Sequence, residues 1–239
     1  MNLVADLHVH TISSGHAYNT ILENTQSARE KGLKLIAITD HGPNMPGGPN
    51  KYHFGNMKVL PSIINKVEIL KGVEANIVDM EGNLDLEKNF LQELDIVLAG
   101  LHDDCFIPES VEDNTKALIQ TIQNPLVHII VHPGNPRFKV DYERVVSAAA
   151  DYNVALEINN SSLTIVRKGS FDNCREIARL CKKYGTLVAF GSDAHWYERV
   201  GEFDKAMKLV EEAGIKEKYI LNTSVDKIKA FLKSKKNKK

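Results

Sequence analysis

The sequence predicts an α/β fold in one domain, a parallel barrel closed or nearly closed by seven strands. Three observations carry this. Short apolar runs alternate with amphipathic stretches along the chain, the pattern of repeated β-α units. Strand candidates such as 33–39 are almost continuously apolar, as expected of parallel strands covered on both faces. No repeat period, Ser/Gly linker or composition break divides residues 1–239, a length that suits one sizeable core.

The first strand is expected at 3–7, running into Asp6-Leu7-His8-Val9-His10. Extended side chains alternate between faces, so Asp6, His8 and His10 are expected on one side and Leu7 and Val9 on the other. Two imidazoles on one face make a metal claw, although any half-solvated strand can carry alternate polar residues. A helix follows over 20–31, stopped by Gly32, and then the second strand at 33–39. The Gly/Pro/Asn-rich stretch 42–56 reads as a long loop, a candidate lid or substrate wall. The segment around Pro61 is ambiguous. Further strands are expected at 67–70 running on to Glu74, and at 95–99, 126–131, 154–157 and 187–190. Helical spacing covers 86–94, 111–123, 142–151 and 171–184, with 205–213 and 225–233 behind the last strand. The five lysines of 233–239 read as a frayed, flexible end.

Composition excludes several function classes. Apolar and charged fractions of 43% and 26% are those of an ordinary globular chain, and a net charge of -1 argues neither for a nucleic-acid nor for an acidic partner. Three cysteines without paired spacing make no disulfide framework. Cys174 and Cys181, with Ile177, share one helix face as small buried hydrophobes. No apolar run is long enough to span a membrane. The amino terminus lacks the charged lead and apolar core of a signal peptide, so a cytoplasmic protein is expected.

Ligand-type side chains cluster at strand ends. His8 and His10 end the first strand, Asp40-His41 the second, Glu74 the third, His102 the fourth and His132 the fifth; Asp193 and His195 follow the seventh. In a parallel barrel those carboxyl ends converge on the face where active sites are built. With His16 in the first β-α loop, seven of nine histidines fit one cavity. Each alone is better read as an ordinary polar residue, but seven imidazoles at one mouth are costly to bury unless they bind metal. The other two are expected elsewhere, His53 solvated in the long loop and His128 hydrogen-bonded inside the fifth strand.

Asp6-x-His8-x-His10-x5-His16, Thr39-Asp40-His41, Gly72-Val73-Glu74, Gly100-Leu101-His102, His132-Pro133 and Gly191-Ser192-Asp193-Ala194-His195 resemble the motifs of the polymerase-and-histidinol-phosphatase (PHP) superfamily. The closest likeness is to its small YcdX-like phosphatases. The resemblance implies a distorted (β/α)7 TIM-like barrel holding three metal ions, zinc by expectation, with manganese or iron as alternatives. It implies one ion on His8, His10, Glu74 and Asp193, a second on Glu74, His102 and His132, and a third on His16, His41 and His195. Glu74 would bridge two ions, which suits a carboxylate with two oxygens. Asp6 and Asp40 are candidate carboxylates behind metal-bound imidazoles, fixing their tautomers; helix capping is the alternative for Asp40. The resemblance also implies a homotrimer.

The expected reaction is hydrolysis of a phosphomonoester by a metal-activated water, with Asp193 and Glu74 as catalytic residues. Arg137, Arg167, Lys168 and Arg199 are candidate clamps for the phosphate of a small substrate. A phosphodiesterase or exonuclease would use the same metals but lacks a basic groove here. A metal-dependent amidohydrolase would need fewer histidines. A non-enzymatic metal-binding module would saturate its ions with protein ligands.

Overall fold

The computed structural model describes residues 1–107, 110–164 and 166–236. Strand β1 (Ala5–Val9) pairs in parallel with β2 (Leu35–Ile38), and β2 pairs with the first half of β4 (Val67–Asn76), from Leu35↔Glu68 to Ile38↔Lys71. The second half of β4 pairs with β5 (Ile96–Gly100), from Gly72↔Ile96 to Asn76↔Gly100. Then come β6 (Ile129–Ile130), β7 (Ala155–Asn159) and β8 (Val188–Gly191), all parallel. The order β1-β2-β4-β5-β6-β7-β8 makes seven parallel strands in a nearly closed, distorted (β/α)7 barrel. The ambiguous segment near Pro61 supplies β3 (Ile63–Ile64), a short antiparallel addition to β4.

The barrel closes between β8 and β1 by improvised means. At the carboxyl ends, Asp193 N donates to His8 O at 2.9 Å and His10 N to Ala194 O at 3.1 Å. Further down the seam one side chain takes the place of a strand. Asn222 Nδ2 donates to Ala5 O and Phe190 O, both at 2.9 Å, while its Oδ1 accepts from Phe190 N at 2.8 Å. A primary amide offers the same donor and acceptor as a peptide group, so it satisfies backbone atoms that a missing strand would otherwise leave bare.

Helices α1 (Ile21–Glu30), α2 (Lys51–Asn56), α3 (Lys88–Glu93), α4 (Val111–Gln123), α5 (Tyr142–Asp151), α6 (Ser170–Tyr184), α7 (Asp204–Ala213) and α8 (Val225–Lys236) follow the strands. The start of α1 is a capping box in which Thr20 accepts from Glu23 N and Glu23 accepts from Thr20 N. Two expectations change here. The stretch 42–56 is not loop throughout, because α2 forms its last turn and a half, capped by Asn50. Helix α8 continues through Lys236, with Lys235 buried, where a frayed end was expected from 233; residues 237–239 lie outside the described residues.

Two apolar layers hold the strands. An inner cluster of Leu7, Leu35, Leu98 and Ile129 is closed at one end by Ile228, Phe231 and Leu232 of α8. An outer cluster packs Val9, Ile36, Ile38, Val73 and Val97 against the helices. Leu7 is in the inner layer but Val9 in the outer, because the β1–β2 register shifts between Asp6 and Val9. Such an irregularity re-aims the residues after it. The expected single face for Asp6, His8 and His10 is therefore wrong for Asp6, which points outward.

Candidate metal centre

His8, His10, His41, His102, His132, Glu74 and Asp193 are all buried at the carboxyl end of the barrel. The core of the cluster is Glu74, on β4. Its Oε1 lies 2.8 Å from His132 Nε2 and 3.0 Å from His102 Nε2. Its Oε2 lies 2.8 Å from His41 Nδ1 and 3.3 Å from both His8 Nε2 and His10 Nε2. Asp193 Oδ1 is 3.3 Å from His10 Nε2, 3.7 Å from His8 Nε2 and 3.5 Å from His195 Nδ1.

Three groups bring donor atoms within 4.8 Å of one another: His8, His10 and Asp193; His41, Glu74 and His102; and His10, His41 and His195. The first follows the expected division of ligands. In the third, His10 stands where His16 was expected, because the His10 ring lies only 4.5 Å from His41 and 4.2 Å from His195. His16 flanks this group at 5.0 Å from His41 and 4.8 Å from His195, on the exposed side.

Three of the imidazoles and both carboxylates are in a state to take cations. Burial lowers the His41 and His132 pKa values to about 3 and that of His195 to about 4, leaving neutral imidazoles. Burial opposes ionisation of Glu74 and Asp193, but the surrounding imidazoles, with Arg167 beside Asp193, hold both well below the ordinary carboxylate range. His41 Nδ1 and Glu74 Oε2 are buried 2.8 Å apart but not in hydrogen-bond geometry. Two buried donor atoms left facing each other in this way fit a metal ion.

The carboxylates behind the imidazoles differ from those expected. Asp6 touches no imidazole nitrogen among the described residues; it accepts from the backbone N of His8, Ser192 and Gly201 and ties β1 to the chain after β8. Asp40 reaches His10 through Ser14, whose Oγ donates to Asp40 Oδ1 at 2.7 Å and lies 2.9 Å from His10 Nδ1. His53 is not solvated as expected: its Nε2 lies 3.4 Å from Asp40 Oδ2 and only a quarter of its side chain is exposed. His128 is the expected interior group, accepting from Val97 N. The carboxylate directly behind His8 is Glu157, with Oε1 2.7 Å from Nδ1. Sequence reading missed it, although a lone charge inside the apolar run 154–158 was a signal.

Backbone strain collects here. His132, Arg167 and Asp193 adopt φ of 35°, 55° and 56°, a region that costs non-glycine residues energy and that folds tolerate at functional sites. Above the cluster opens a cavity of about 980 Å³ whose walls include Met45, Pro46 and Trp196. All four candidate clamps line it: Arg137, Arg167, Lys168 and Arg199. Arg167 reaches deepest, donating to Asp193 Oδ2 at 2.9 Å, whereas Arg137 and Arg199 are exposed and paired with Asp103 and Glu202.

A family model described as the PHP domain matches residues 6–236. The chain belongs to the PHP family. Among this PHP protein's relatives are a probable phosphatase of Thermoanaerobacter sp. (strain X514), 56% identical over 100% of this chain and 98% of the relative, and one of Caldanaerobacter subterraneus, 57% identical over 98% and 93%. A probable phosphatase of Acetivibrio thermocellus is 48% identical over 99% and 98%. The structure of histidinol phosphate phosphatase from Lactococcus lactis, complexed with zinc, L-histidinol and phosphate, superposes with TM-score 0.60 at 17% identity, covering 89% of this chain and 94% of that one. At that identity the likeness supports the PHP fold alone.

Proposed function

We propose that this PHP-family phosphatase, a phosphoric ester hydrolase, cleaves small phosphomonoesters at a trinuclear metal centre. The observation that carries the reading is Glu74, fully buried with each oxygen turned to a different set of imidazoles. In the proposed arrangement His8, His10, Glu74 and Asp193 would hold one ion, Glu74, His102 and His132 a second, and His41 and His195, with His10 within reach and His16 flanking them, a third. Mixed imidazole and carboxylate donors suit zinc first, and manganese or iron as well. Such ions supply positive charge for phosphoryl oxygens and a lowered pKa for water.

The chain's own residues do the rest. Asp193, ionised and clamped through Oδ2 by Arg167 and Asn159, orients the attacking water. Arg167 also offers charge-assisted hydrogen bonds to the phosphate, and Lys168, Arg137 and Arg199 complete a cationic wall. The 980 Å³ cavity holds a leaving group of metabolite size. A net charge of -1 does not suit a nucleic-acid partner. Among the described residues no helix is long and apolar enough to cross a membrane. The three cysteines are free, in keeping with a reducing cytoplasmic home, and the family resemblance supports a homotrimer.

The test is a panel of phosphomonoesters and diesters against protein purified without chelator. Monoesters should turn over faster than diesters or single-stranded DNA. The reverse order would overturn the monoesterase reading.

A further inference from the structure

Glu157 lies in the middle of β7, the one barrel strand to which no ligand is assigned, yet its carboxylate contacts ligands of two of the proposed ion sites. It is 2% exposed. Its Oε1 is 2.7 Å from His8 Nδ1, the ring nitrogen opposite the one that faces Glu74. Its Oε2 accepts from His132 N at 2.7 Å and from Asn159 Nδ2 at 3.1 Å. That second contact holds the backbone of His132 at the residue whose φ is 35°. Asn159 Nδ2 also lies within hydrogen-bond reach of Asp193 Oδ2, at 3.2 Å. A single anion therefore stands behind ligands drawn from β1, β6 and β8.

Gly191 shows that the fold makes room for this contact. A Cβ at that position would meet Glu157 Oε1 at 2.0 Å and His8 Cβ at 2.5 Å. Neither atom could remain where it is. Position 191 thus excludes every residue but glycine as long as the His8–Glu157 pair is kept.

We propose that Glu157 is a positioning residue that couples two ion sites, fixing the tautomer and direction of His8 with one oxygen and the backbone of His132 with the other. The inference rests on the trinuclear reading above. Only a carboxylate fits the place. With Nε2 given to an ion, His8 Nδ1 carries hydrogen and must donate, and His132 N and Asn159 Nδ2 donate as well. Glutamine has one acceptor oxygen for these two directions, so whichever way its amide turns, its own N–H groups oppose a donor.

The experiment titrates zinc into metal-free protein against a chromophoric chelator, with metal content measured after desalting, for the wild type, Glu157→Gln and Gly191→Ala. Removing a group behind a ligand weakens metal binding by about 10- to 100-fold. Both variants should lose that much affinity at two sites together, while the ion of the His16, His41 and His195 group binds as in wild type. Gly191→Ala changes no charge and pushes directly only on His8 and Glu157, so loss at the His102 and His132 site as well reports the coupling and decides the matter if Glu157→Gln does not fold. Three ions at wild-type affinity in either folded variant would overturn the coupling alone. Equal weakening at all three sites would also overturn it, because the role would then be general to the fold. A wild type that holds one ion or none would overturn both the coupling and the functional reading.

Discussion

Arg167 Nη1 donates to Asp193 Oδ2 at 2.9 Å while the other oxygen of Asp193 faces the imidazoles of His8, His10 and His195. One carboxylate is thus divided between a cation of the cavity wall and the cluster beneath it. Arg167→Ala removes a charge-assisted bond worth about 1.5–3 kcal/mol, so kcat/KM for a monoester should fall by about 10- to 100-fold. Arg137→Ala should have a small effect, because that side chain is 62% exposed and already paired with Asp103. Steady-state kinetics of the two variants checks this. A larger loss from Arg137→Ala would assign the clamp to the wrong arginine.

Metal binding should release protons at neutral pH. Burial works to lower His10, but Asp193 and Glu74 outweigh it and bring it to about 9; His8 is raised well above the ordinary range, chiefly by Glu157 against its burial. Both therefore carry protons at pH 7 in the metal-free chain, and an ion binds only the neutral imidazole. Zinc affinity should rise with pH up to about 9 and weaken as pH falls. His41, His132 and His195 are already neutral and release none. Calorimetry in buffers of different ionisation enthalpy should report about two protons released per loaded chain at pH 7. Binding without proton release would contradict the assignment of His8 and His10.

Asn222 should behave as part of the barrel wall. Asn222→Ala strips partners from Phe190 N, Phe190 O and Ala5 O. Unpaired buried groups of this kind cost about 1–3 kcal/mol, which lowers the melting temperature of a chain this size by roughly 2–10 °C. A thermal melt of the metal-free variant measures it. No change in melting would mean that other groups close the seam.

Much of this architecture was legible in the residues. The apolar runs locate the parallel strands, and the placement of His8, His41, Glu74, His102, His132 and Asp193 at strand ends anticipates their convergence. What was not legible depends on tertiary geometry. The register shift in β1 turns Asp6 away from the imidazoles, and nothing in the alternation of Asp6-Leu7-His8 announces an inserted residue. Glu157 shows in the sequence only as a lone charge in the apolar run 154–158, and its partners exist only once β7 lies between β6 and β8. Asn222 lies in a short connection with no pattern of its own, and its role exists only because two strands leave a gap. His53 was misread because loop and helix signals compete in 42–56, and α2 carries it back to Asp40.

The central claim is that nine side chains gather three ions. It is tested most directly by the metal content of active protein purified without chelator or metal-affinity columns, determined by elemental analysis on the same sample that hydrolyses a monoester. The account predicts about three transition-metal equivalents per chain. One equivalent or fewer in fully active protein would contradict it.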